Sequence, residues 1–234
     1  MKVFEIKLKV FLLKDIHKTE VQERVTDFID GTLALNKDML LLHEDKQRYK
    51  LYSYGGLQNI EKSGLYSSGN IYNIIIRTVD QKLARYLYSF LPKYQNHIMK
   101  GLIADIHILP KRILERIYTQ TPVIIKNNSG YWRDCLSFEE YEQRIKINLI
   151  KKYRQFCAKN MEDTIPFYTS IQIDNKKPIA VTYKGIKLLG DKLTLYIADD
   201  TMSQELAYFA LGVGLGEMNS RGFSFVKGYY EQIF

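Results

Sequence analysis

The residues of this chain best suited to proton transfer, nucleophilic attack or metal ligation are His17, His43, His97 and His107 together with Cys135 and Cys157. No CxxC, HxxxH or HExxH spacing links them, so no structural zinc is expected and no metal or cofactor is assigned. A lone imidazole, with an unperturbed pKa of about 6.5, can still accept or donate a proton near neutrality. The second concentration of chemistry is the glycine-dense stretch 212–225, which contains Gly212, Gly214, Gly216 and Gly222. Glycine permits positive φ and close approach of backbone N–H groups to an anion, and Asn219, Ser220 and Arg221 add donors suited to phosphate. Tight turns and a helix C-cap would account for the same glycines. A dinucleotide fingerprint does not, because it needs a strand before the glycines and a helix after them, and here that order is reversed.

A polyanion is the partner that the composition suggests. Lys and Arg number 34 against 26 Asp and Glu, giving a formal charge of +8 over 234 residues, and both halves of the chain are basic. With 18 Tyr and 11 Phe to offer stacking faces, nucleic acid fits this balance. Lys126, Lys176, Lys177, Lys184, Lys187 and Lys192 are the second-half lysines placed to meet phosphates, and Tyr131 or Trp132 could stack an unpaired base. No RNP1-type aromatic octapeptide is present, so stacking of single-stranded RNA on a sheet face is not expected. Apolar residues at 46% and charged residues at 26% argue against disorder, collagen-like repeats and coiled coil. No apolar run is long enough to span a membrane, and Lys2, Glu5, Lys7 and Lys9 interrupt the N-terminal stretch as a secretory signal would not. A cytoplasmic protein without membrane partners is expected.

The elements that must hold these groups follow from periodicity. Residues 3–13 alternate through Phe4, Ile6, Leu8, Val10 and Leu12 as a half-buried strand. Thr19 and Gln22 have capping-box spacing, and Val21, Val25, Phe28, Ile29 and Leu33 continue as a helix to about residue 36. Strands at 50–54 and 71–79 flank a break at Gly55 and Gly56. A helix capped by Asp80 and stopped by Pro92, then a strand over 98–109, completes βαββαβ. The second half repeats the pattern: a strand at 117–126 and a helix capped by Ser137 and Glu140, with Lys151 and Lys152 off its apolar stripe. Strands near 167–173, 178–183 and 192–198, a helix at 201–211 and a strand at 223–229 follow. This predicts an α+β fold of two ferredoxin-like (RRM-like) domains with antiparallel sheets, residues 1–115 and 116–234, joined near 110–118.

The run from Gly214 to Phe225, G-L-G-E-M-N-S-R-G-F-S-F, closely resembles the glycine-rich C-terminal motif of the CRISPR-associated repeat-processing endoribonucleases of the RAMP superfamily. The resemblance extends over nearly the whole chain: the basic opening strand, the first helix followed by His43 and then by Lys50 to Tyr54, and the strand start at Thr121, Pro122 and Val123. It implies tandem ferredoxin-like domains and metal-independent cleavage of CRISPR precursor RNA (pre-crRNA) within each repeat, the 2′-OH attacking to leave a 2′,3′-cyclic phosphate and a 5′-OH. It implies His43 as the catalytic acid or base and Lys50 as a cation for the phosphoryl charge, although a lysine on a strand edge also deters aggregation. Some members carry a catalytic tyrosine on the first helix, and the matching position here is Phe28, which cannot move a proton. That role is vacant, unnecessary, or moved to Tyr49, Tyr52 or Tyr54. His17, in the loop before the helix, is a second candidate acid or base. Taken with the reading of the loop and of the second-half lysines, the expected RNA-binding set is Gly214, Gly216, Asn219, Ser220, Arg221, Gly222, Lys126 and Lys187. Because related RAMP proteins hold guide RNA without cutting it, a non-catalytic subunit of a CRISPR effector complex is the alternative, and homodimerisation stays open.

Overall fold

A computed structural model describes residues 1–59, 63–127, 130–158 and 165–231. The first half runs β1 (Phe4–Leu12), a short β2 (Ile16–His17), α1 (Val21–Leu33), α2 (Lys37–Glu44), β3 (Tyr52–Leu57), a short β4 (Leu65–Tyr66), β5 (Ile71–Thr78), α3 (Gln81–Phe90) and β6 (Met99–Ile108). The second half runs β7 (Leu114–Thr119), α4 (Phe138–Cys157), β8 (Tyr168–Ile173), β9 (Ile179–Tyr183), β10 (Ile186–Gly190), β11 (Leu193–Ile197), α5 (Thr201–Val213) and β12 (Val226–Tyr230). The antiparallel sheets are ordered β3-β5-β1-β6 and β12-β7-β11-β8. In each, the first strand of the unit lies inside the sheet between its third and fourth, the ferredoxin-like arrangement. The β9–β10 hairpin and the β2–β4 pair stand apart from them. Among the described residues no helix is long and apolar enough to cross a membrane.

Local chemistry sets most of these elements. Ile6, Leu8, Val10 and Leu12 are fully buried on one face of β1. Asp80 accepts from the Lys82 and Leu83 N–H groups to start α3, and Ser137 with Glu140 forms the expected reciprocal cap on α4. Phe28 is completely buried and meets Tyr94 edge-on at 5.2 Å, a packing role that contributes about 1.5–3 kcal/mol of burial.

Four local expectations change. Thr19 does not cap α1; its hydroxyl lies 2.8 Å from His17 Nδ1, and Glu20 at the N-cap makes no side-chain cap bond. The segment carrying His43 is the helix α2, begun by Asn36 accepting from the Met39 N–H. Gly55 and Gly56 lie within β3 as a register shift between Tyr54 and Leu57, rather than ending it. Finally, β7 stops at Thr119; beyond it Val123 and Ile124 make only isolated bridges, to Asp191 and Glu217. The chain passes between sheets over residues 109–113, so a boundary after residue 115 falls inside β7.

The two halves are joined by buried polar contacts. Glu5, on the face of β1 opposite Ile6 and Leu8, is only 4% exposed because Arg77 covers it, Nε to Oε2 at 2.6 Å. Arg77 also donates to the Val226 carbonyl at 2.6 Å and lies 4.8 Å from the Phe225 ring centre. Ser53 donates to the Gly212 carbonyl, and Gln155 both donates to and accepts from the Tyr49 backbone. This seam aligns α1, α2 and β3 of the first half with the glycine-rich loop of the second.

Candidate functional site

The loop after α5 is built around a buried lysine. Lys152 of α4 donates to the carbonyls of Gly214 (3.3 Å) and Gly216 (2.6 Å) and to Asn219 Oδ1 (2.5 Å). Expected off the apolar stripe, Lys152 is 3% exposed, and burial pulls its ammonium down to about 7. Asn219, expected to meet phosphate, turns inward: its amide donates to the Leu215 and Phe223 carbonyls, which consumes both N–H bonds. Two glycines are obligatory. Gly214 has φ +73° and a Cβ there would lie 2.6 Å from Asn219 Nδ2; Gly222 has φ +84° and a Cβ would lie 2.6 Å from the Tyr54 ring. Protein atoms thus occupy the space at these glycines, and the loop is a braced turn that delivers Arg221.

Arg221 reaches across the seam to α1, where its Nη1 donates to Asp30 Oδ2. Asp30 Oδ1 lies 3.1 Å from His43 Nε2, and the imidazole is mostly buried at the end of α2. This is an ion-pair contact rather than a hydrogen bond, and neither Asp30 Oδ1 nor His43 Nδ1 has a hydrogen-bond partner among the described residues. Burial raises the Asp30 carboxyl, but His43 and Arg221 outweigh it and hold the group below the ordinary carboxylate range. The result is a cation–carboxylate–imidazole array drawn from three separate elements: Arg221 from the loop, Asp30 from α1 and His43 from α2.

Lys50 precedes β3 and donates to the Asp45 carbonyl at 2.6 Å. Burial lowers its ammonium below the ordinary lysine range, with Arg221 adding to the fall against Asp45. Tyr52, on β3, is buried and points its hydroxyl at the Ser220 carbonyl 3.5 Å away. Burial keeps that phenol protonated far above the usual tyrosine range, so it can donate a proton bond but is no base near neutrality. Lys50, Leu51 and Tyr52 separate two cavities. One, of about 550 Å³, is lined by His43, Phe4, Leu33, Met39, Leu83 and Phe156 among others. The other, of about 490 Å³, is lined by Lys46, Lys126, Asn148, Lys152, Ser220 and Arg221 among others. Asn148 Oδ1, at the wall of the second cavity, is buried without a hydrogen-bond partner among the described residues.

The sequence-predicted residues therefore divide. His43, Lys50, Tyr52, Ser220, Arg221 and Lys126 line this pair of cavities. His17 does not join them: it is exposed beside Thr19 at the N-terminal end of α1, and roughly 13 Å of helix separates Val21 from Asp30. Lys187 is exposed on the β9–β10 hairpin. Trp132 is buried, stacked 4.0 Å from Tyr141, and with Tyr131, Arg133 and Asn175 it hydrogen-bonds the buried Asp191 carboxylate. That network uses Tyr131 and Trp132 structurally. Asp30 escaped sequence reading, since one acid on a helix carries no local signal. Lys152 did leave one, standing three residues after Leu149 and seven after Ile145 on the buried stripe. Among the described residues no three His, Cys, Asp or Glu side chains converge as a metal site.

Residues 107–228, more than half of the chain, match the family model for CRISPR associated protein Cas6, C-terminal. No curated protein matches the sequence. Solved structures do. A CRISPR associated protein Cas6 is 17% identical with a TM-score of 0.68, covering 97% of this chain and 99% of that one. A RAMP protein described as binding different RNA substrates is 15% identical with a TM-score of 0.69, covering 97% and 99%. The product of a Cas6-related gene from Pyrococcus furiosus is 18% identical with a TM-score of 0.66, covering 98% and 100%. At these identities the likeness to solved structures is one of fold, and that fold is the tandem ferredoxin-like α+β architecture.

Proposed function

The chain belongs to the Cas6 family of CRISPR-associated proteins, and from that premise we propose that it is an endoribonuclease that cuts CRISPR precursor RNA within the repeat without a metal ion. The nucleophile is the substrate's own 2′-OH, which attacks the adjacent phosphorus in line, forming a 2′,3′-cyclic phosphate as the bond to the 5′ oxygen breaks. The 2′-OH must lose a proton, the leaving oxygen must gain one, and the phosphoryl oxygens need compensating charge. His43 is the proton carrier, Asp30 holds its ring, and Lys50 and Arg221 supply the positive charge. Lys46 and Lys126 extend that charge along the 490 Å³ cavity for flanking phosphates. The observation that carries this reading is the His43–Asp30–Arg221 array beside Lys50, at the junction of two cavities.

The test is incubation of the cognate repeat RNA with the protein in excess EDTA, alongside RNA carrying a 2′-deoxy sugar upstream of the cut. The normal RNA should be cut to cyclic-phosphate and 5′-OH ends, the deoxy RNA should survive, and His43→Ala should slow single-turnover cleavage by roughly 10²–10⁴ with little change in affinity. Cleavage of the deoxy RNA would sink the 2′-OH mechanism. A second reading, guide-RNA binding without cutting, is favoured by Phe28, whose side chain carries no proton donor and is wholly buried as core packing. Tight repeat binding with no cut product, and no effect of His43→Ala, would decide for it.

A further inference from the structure

Of these two cavities, His43 borders the one of 550 Å³, whereas Arg221 and Lys126 line the 490 Å³ one, and Lys50, Leu51 and Tyr52 belong to both. The two sides differ in chemistry. The Arg221 side is polar and basic; the His43 side is walled by Phe4, Leu33, Met39, Val79, Leu83 and Phe156. On the endoribonuclease reading, a phosphate held by Lys50 and Arg221 would lie at this boundary, and the ribose that offers its 2′-OH to His43 would approach from the apolar side. Whatever is attached to that ribose enters with it. A volume of about 550 Å³, largely apolar with a few polar groups, suits a small planar ligand. Among those polar groups are Arg48 and Gln81. Gln81 is exposed at the first position of α3, and its amide pairs a donor with an acceptor, as the edge of a base requires.

We propose that this cavity receives the nucleobase of the nucleotide whose 2′-OH attacks, turned out of the strand, its faces against the apolar walls and its edge toward Gln81. The proposal deepens the endoribonuclease reading and rests on it for the identity of the ligand. Turning out a base costs a few kcal/mol, least where it is unpaired, so the site also selects repeats whose base at the cut is free of a stem.

The experiment walks 2-aminopurine along an uncleavable repeat RNA with a 2′-deoxy sugar at the cut, one position at a time. On binding, emission should rise at one position, the nucleotide upstream of the cut. An abasic residue there, in otherwise cleavable RNA, should slow single-turnover cutting about tenfold or more while the same change one nucleotide downstream does much less. Gln81→Ala, at an exposed position where folding is safe, should weaken the emission rise, and Met39→Trp, which fills the cavity, should abolish it. No rise at any position, or an abasic substrate cut at the unmodified rate, overturns the proposal. A persistent rise with an RNA that is never cut would keep the pocket and discard the nuclease reading, so the two failures are separable.

Discussion

Replacing Asp30 with Asn tests how the imidazole is held. The substitution keeps shape and volume but removes the charge that faces His43 Nε2 at 3.1 Å on one oxygen and Arg221 on the other. Among the described residues Asp30 is the one carboxylate in contact with the ring, and His43 Nδ1 has no other anchor. Residues in contact within one salt-bridge network couple by about 0.5–3 kcal/mol. If that coupling is used to fix the ring for proton transfer, its loss lowers the single-turnover rate by about 2–150-fold, at 1.36 kcal/mol per tenfold. The assay is single-turnover cleavage of the cognate repeat by wild type, Asp30→Asn, His43→Ala and the double variant, with RNA affinity measured in parallel. Because Asp30 acts through His43, its effect should largely disappear in the His43→Ala background. Asp30→Glu, which restores a carboxylate, should recover part of the rate. An Asp30→Asn enzyme as fast as wild type, or an undiminished loss in the double variant, would refute the reasoning. The acid limb provides a second readout. The folded-state carboxyl is lowered, so its stabilisation is present above the unfolded pKa of about 3.9 and disappears as pH falls through the folded value; Asp30→Asn should flatten stability against pH below about 4.

Three more perturbations follow. Arg77→Leu leaves Glu5 and the Val226 carbonyl buried without their guanidinium and should cost about 3–5 kcal/mol, read as a melting temperature lower by roughly 6–20 °C; Arg77→Lys, without the planar fork, should not restore it. Gly222→Ala places a methyl 2.6 Å from the Tyr54 ring at φ +84° and should move Arg221, reducing cleavage more than it reduces the fraction of folded protein seen by circular dichroism. Lys152→Met removes a group that loses its proton at about 7 in the fold but keeps it to about 10.4 when unfolded. Between those values the unfolded chain binds more protons, so wild-type stability should rise relative to the variant from pH 7 toward pH 10, measured by urea melts; parallel curves would contradict this.

The periodicity of β1, α1, α3 and α4, and the caps at Asp80 and Ser137, are short-range properties, and the tandem ferredoxin-like order was legible from them. The short helix α2 was hidden, since Lys37–Glu44 mixes apolar and charged residues without a clear stripe. His43 and Lys50 could be singled out from resemblance to a family, but their setting could not. Asp30 is thirteen residues from His43 in the chain and 191 from Arg221, and no local pattern records that such residues meet. The same holds for Asn219 and Lys152. One looked like a phosphate donor and the other like a solvated lysine, and each became a brace once α4 packed beside the glycine turn. Residue type and spacing determined the elements, because hydrophobic period and capping act within a few residues. Which charged groups face one another, and which cavity the imidazole opens on, was decided by burial of the seam between the two halves, where contacts over a hundred residues apart set the electrostatics.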